Sequence, residues 1–125
     1  MLRGIDGGKS RTGGANGPAV RVEVLARPDC PNLPTTLGLI ERVAWEERIS
    51  VKIERVTITS EANARRRRLL GSPTVRVDGR DVEPGAERRT DFGLGCRVYR
   101  TERGLAGWPD ERWLRTALLA AVETA

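Results

Sequence analysis

The sequence predicts an α/β domain: a four-stranded mixed sheet flanked by helices. Three observations predict it. Val20, Val22, Val24 and Ala26 alternate with Arg21, Glu23, Leu25 and Arg27, the period-2 pattern of a strand. Leu33, Leu37, Ile40 and Ala44 then recur at the spacing of one helical face. Downstream, a second β-branched run, a short helical stretch and the hairpin signal Asp78-Gly79 extend the order to strand–helix–strand–helix–strand–strand–helix. A right-handed strand–helix–strand unit followed by a hairpin places helices on both faces of one sheet.

At 125 residues the chain has room for one domain, and 38% apolar residues supply a modest core. Residues 19–125 are read as that domain. Residues 1–18 hold six glycines among Ser, Thr, Asn and Lys without periodicity, the composition of a disordered N-terminal tail. Gly7-Gly8-Lys9-Ser10 imitates a phosphate loop, but Arg3 stands where the earlier glycine belongs and no strand precedes it.

The elements follow in order. Pro28 ends the first strand because it cannot donate to a ladder, and the first helix runs to Glu47 or Arg48. Val51, Ile53 and Val56-Thr57-Ile58 make the second strand. Ser60 suits an N-cap, and the second helix is expected to reach Leu70 with Gly71 as its stop. Val75-Arg76-Val77 and Asp81-Val82-Glu83 are the arms of the Asp78-Gly79 hairpin. Asp91-Phe92-Gly93-Leu94-Gly95-Cys96 reads as a glycine-punctuated loop, and Arg97 to Arg100 as a short extended piece. Pro109 suits the first position of a last helix, with Leu114, Ala117, Leu118, Ala121 and Val122 as its buried stripe. Trp45, Trp108 and Trp113 are read as core.

Composition excludes several chemistries. The chain has no histidine, which removes Cys–His and Ser–His mechanisms and the usual zinc ligands. Two cysteines cannot form a structural zinc site alone, and no metal or cofactor is expected. No run of 18 apolar residues and no apolar stretch behind a basic start is present. The expectation is therefore no membrane partner and a cytoplasmic location. Net charge is +5, part of it carried by Arg3, Lys9 and Arg11, and aromatic residues are few, so nucleic acid is not an expected partner. The run Arg65-Arg66-Arg67-Arg68 points all around a helix at about 100° per residue, as a solvated helix would.

Cys30 and Cys96 remain as the reactive groups. Cys30 lies between a core strand and a helix start, where unpaired N–H groups and the helix dipole stabilise a thiolate. A partly exposed, fast-reacting Cys30 is expected. Cys96 has two readings. If Asp81–Glu83 is the fourth strand, the following loop starts near Cys30 and Cys96 can act as the resolving thiol. If Arg97–Arg100 is that strand, Cys96 is a core residue at the far end.

Cys30 after the first strand, Gly71-Ser72-Pro73-Thr74 before the third, and the Val77-Asp78-Gly79 hairpin together resemble the thioredoxin superfamily, in a glutaredoxin-like layout. Asp29-Cys30-Pro31-Asn32, the stretch Gly71–Asp81 and Gly95–Tyr99 are also similar to small thioredoxin-fold proteins loosely named after alkylmercury lyase. The resemblance implies a cis Pro73 lying against Cys30, and Ser72, Pro73 and Thr74 as the substrate-binding edge. Leu33 stands where the superfamily's second motif cysteine falls, so dithiol chemistry within Cys-x-x-Cys is excluded. Asp29 replaces the tryptophan that often precedes the motif.

The expected function is thus a thiol-based redox protein of thiol–disulfide oxidoreductase type. Cys30 would attack, Cys96 would resolve, and the substrate would be a glutathione or protein thiol or disulfide. The alternatives are a Cys30–Cys96 pair that captures a soft metal, organomercurial or arsenite, and a catalytically silent interaction domain.

Overall fold

The computed structural model describes residues 18–124; the expected N-terminal tail, apart from Pro18, lies outside the described residues, as does the Gly7–Ser10 motif. The four-stranded mixed sheet is present. Its strands are β1 (Val20–Ala26), β2 (Val51–Thr57), β4 (Thr74–Val77) and β5 (Arg80–Asp81), in the order β2-β1-β4-β5. β1 lies inside the sheet, paired along both edges. It pairs parallel with β2, Val22 opposite Ile53, and antiparallel with β4, Val22 opposite Val77.

The β1 side chains divide the core in two. Val20, Val22 and Val24 pack with Ile40, Val43 and Ala44 of α1 (Leu33–Glu47) and with Leu114, Leu118 and Ala121 of α3 (Glu111–Thr124). Leu25 packs with Ile58, Ala64 of α2 (Glu61–Arg66) and Leu69. Helices therefore flank the sheet on both faces. Each fully buried Leu or Ile contributes roughly 1.5–3 kcal/mol over an exposed one. Arg42, Glu46, Glu47, Glu111 and Arg115 form an ion-pair network that clamps α1 to α3. No helix among the described residues is long and apolar enough to cross a membrane.

Several local expectations are corrected. Helix α2 stops at Arg66 rather than Leu70, because Arg68 turns left-handed (φ 58°) and Leu69 N–H returns to Ala64 C=O. Leu70–Ser72 is instead a strand, β3, which pairs parallel with β6 (Gly93–Cys96). The stretch read as a glycine loop is therefore partly a strand. Residues 99–106 form a further hairpin, β7 (Tyr99–Thr101) with β8 (Gly104–Ala106). Pro109 lies two residues before α3, and the Asp110 carboxylate accepts the N–H groups of Arg112 and Glu102. Its hydrogen bond to the Arg112 side chain, with those two N–H groups, holds that carboxyl well below its usual range. Trp45 and Trp108 are exposed, because they lie on surfaces turned away from both core clusters; Trp113 is half-buried against Tyr99. Val122 is exposed too, one residue beyond Ala121 and therefore turned off the buried face of α3.

Candidate active site

The thiol region lies at the C-terminal end of β1. Ala26 ends the strand, Arg27 and Pro28 follow, and Asp29 turns left-handed with φ 58°. That turn folds Cys30 inward. Its side chain is buried, 6% exposed, so the expected accessible thiol is not found at this position. Cys30 C=O accepts the N–H of Leu33, and α1 begins only there, with Asn32 as N-cap making no side-chain hydrogen bond. Cys30 thus sits in the turn before the helix rather than on its first turn.

Cys96 is the exposed thiol. It ends β6 opposite Ser72 of β3. The Arg27 guanidinium donates from Nη2 to Cys96 Sγ at 3.4 Å, while Arg27 N–H donates to Ser72 Oγ at 3.0 Å. One residue of the β1 end therefore meets Cys96 through its side chain and Ser72 through its backbone. Although Arg27 lies three residues before Cys30 in sequence, its guanidinium donates to Cys96. Between the two readings of Cys96, the structure favours the return to the β1 end over a place in the core.

Ser72, Pro73 and Thr74 are all buried. The Ser72–Pro73 bond is cis. The polar groups expected to hold a substrate are already engaged within the chain. Ser72 C=O accepts Arg97 N–H at 3.0 Å, and Pro73 C=O accepts the Tyr99 hydroxyl at 2.6 Å. Thr74 Oγ1 donates to Gly71 C=O and accepts from Arg97 Nη1. Each of these three residues, expected as the substrate-binding edge, thus has a polar group partnered by the chain itself. Segment 93–99 packs along that edge and presents Cys96 outward together with Gly95 and Val98.

Arg97 fixes this segment. Its side chain is 1% exposed, a rare environment for a charge unless it is paired. It bonds Asp81 through two nitrogens at 2.7 and 3.1 Å and Glu83 at 2.7 Å, and lies over the Tyr99 ring at 4.4 Å. Burial works against the charge, but Tyr99, Asp81 and Glu83 outweigh it and hold the guanidinium protonated. Burial also pushes the Tyr99 hydroxyl well above its ordinary range, so it stays a donor. Gly71 permits the approach. A Cβ there would come within 2.9 Å of Arg97 Cβ, and its φ of +125° favours glycine. Arg97 and Tyr99 were missed by sequence reasoning, since neither stands in a local pattern that marks a buried anchor.

Helix α2 adds a second hold: the Glu61 carboxylate accepts Leu94 N–H at 3.2 and 3.3 Å. Among the described residues, no group of three or more Cys, Asp or Glu is placed to hold a metal ion. No family model, curated protein or solved structure matches the chain.

Proposed function

We propose that this chain is a thiol-based redox protein of thioredoxin type, acting on disulfides through Cys96 and Cys30. The observation that carries the reading is the exposed Cys96 sulfur held 3.4 Å from the Arg27 guanidinium. Cys30 lies in the turn that begins just after that arginine. A cation beside a sulfur is a counter-ion for the attacking thiolate and for the thiolate that leaves. The strand–turn–helix setting of Cys30 and the mixed sheet with helices on both faces support the thioredoxin-type layout.

The difference in exposure between Cys96 and Cys30 supports one order of events. Cys96, deprotonated, attacks one sulfur of a substrate disulfide, forming a mixed disulfide and releasing the other half as a thiolate that takes up a proton. Cys30, losing its proton, then attacks Cys96 Sγ. A Cys30–Cys96 disulfide forms and the second thiol leaves. The substrate gains two electrons and the protein dithiol loses two; an external thiol such as glutathione restores it. This reverses the roles that the sequence suggested, because a buried sulfur does not meet a substrate first. Two free thiols without histidine suit a reducing, cytoplasmic setting.

Reaction of the folded chain with an aromatic disulfide, followed by peptide mass mapping, tests the order. The first adduct is expected on Cys96, followed by its loss to a Cys30–Cys96 disulfide, which needs Cα atoms within about 7 Å. Cys30→Ser should trap the adduct on Cys96. An adduct that persists on Cys96 in the parent chain would defeat the redox reading, leaving a reactive surface thiol. A mixed disulfide forming on Cys30 in Cys96→Ser as fast as the first adduct forms in the parent chain would restore the opposite order.

A further inference from the structure

Away from the thiols, at the β5 edge of the sheet, arginines gather without carboxylate partners. Arg67 and Arg68 close α2, Arg76 lies on β4 and Arg80 opens β5. Among the described residues none of the four has a carboxylate within ion-pair distance. All four line one cleft of about 700 Å³, together with Leu70 and Phe92. Such a volume lies within the roughly 300–1,000 Å³ of small-ligand sites.

The carboxylates that share the cleft are already committed. Asp81 and Glu83 hold Arg97 at 2.7 Å, Arg89 is bound to Asp91 and Glu83, and Glu87 faces Arg88 at 3.5 Å. The positive charge of Arg67, Arg68, Arg76 and Arg80 is left without a counter-charge of its own. Arg76 is anchored on backbone, donating from Nη2 to the carbonyls of Arg67 at 2.7 Å and Arg68 at 3.3 Å. Burial, with Arg67 and Arg97 nearby, lowers its hold on its proton despite Asp81 and Glu23. Arg68 stacks its guanidinium over the Phe92 ring, 4.9 Å from the centroid. That stack is a flat surface beside a cluster of cations.

We propose that this cleft binds a small phosphorylated molecule, with its phosphate oxygens on Arg67, Arg68 and Arg80 and its organic part against Phe92 and Leu70. Guanidinium forks match phosphate oxygens in pairs, and an anion there relieves the repulsion among four neighbouring cations. A nucleic-acid strand fits less well. Its backbone would have to pass Asp81, Glu83 and Glu87 in the same cleft, and Arg65 and Arg66 of the same run lie outside it.

That division of the arginine run supplies the control. Calorimetric titration of the full chain with inorganic pyrophosphate, with ADP and with a short single-stranded oligonucleotide tests the proposal. Saturable binding of pyrophosphate or ADP at one site is expected. The pair Arg68→Gln/Arg80→Gln should weaken it by at least about tenfold, while Arg65→Gln/Arg66→Gln should leave it within about twofold. Arg80→Gln alone, on the exposed hairpin, should weaken binding without touching the end of α2. ADP is expected to bind more tightly than pyrophosphate through the contact of its organic part with Phe92 and Leu70; equal affinity would overturn that part of the proposal. No saturable binding of either probe, equal loss in the two pairs, or an oligonucleotide preferred over ADP would overturn the proposal. None of these outcomes depends on Cys96.

Discussion

Arg97 is the residue on which the thiol segment depends. Its guanidinium joins two carboxylates from the β4–β5 hairpin side to a stretch of chain with few other buried anchors. Removing one partner of a buried ion pair strands the others, which costs about 3–5 kcal/mol. Arg97→Met should therefore lower the unfolding free energy by about that much, read as a lower urea midpoint at unchanged slope, and Asp81→Asn with Glu83→Gln in the same chain should recover part of the loss. A loss below about 1 kcal/mol would show that solvent reaches the cluster after all. The same residue marks the limit of sequence reading. An arginine between a cysteine and a valine in a glycine-rich stretch carries no local sign of burial, since its partners lie 14 and 16 positions away. The burial of Cys30 was illegible for a related reason. Asp29 turning left-handed decides which way the thiol points, and neither periodicity nor dipole arguments reach that dihedral angle.

At the scale of elements, β1, α1, β2 and α3 were legible because each carries its own period. Val22 and Val24 face one core and Leu25 the other, and the Leu33-to-Ala44 stripe packs as its spacing implies. β3 and β6 were not legible. They are short, they contain three glycines, and they pair only with each other, so their order comes from the rest of the fold. The α1–α3 clamp has a readable acid limit. Hydrogen bonds from Arg42 and Arg115 lower the Glu111 carboxyl from 4.5 to about 2. A carboxyl depressed in the folded state stabilises above its unfolded value and loses that contribution as pH falls toward the folded one. Thermal midpoints should accordingly drop between about pH 4.5 and 2, and Glu111→Gln should make that drop shallower. Glu111 is more than a third exposed, so salt should shrink the effect. An identical acid profile in the variant would place the sensitivity elsewhere, Asp110 being the next carboxyl to examine.

Across the whole molecule, the thiols and the arginine cleft lie apart. Cys96 meets the C-terminal end of β1 through Arg27, and the four arginines without a carboxylate partner among the described residues line a cleft beside β4, β5 and the end of α2. The buried position of Cys30 then makes it an internal gauge of local opening. A reagent can modify it only when the turn after β1 lifts, and where reclosing outpaces modification the labelling rate reports the free energy of that opening. The turn is held by Leu33 N–H on Cys30 C=O and by the Thr36 N–H and hydroxyl on Asn32 C=O, less than the two-sided ladder that secures β1 itself. In a Cys96→Ser chain, labelling of Cys30 should thus proceed at a rate almost independent of urea at low concentration, well ahead of global unfolding. A denaturant dependence as steep as that of the full transition would mean that this thiol is released only when the entire domain comes apart.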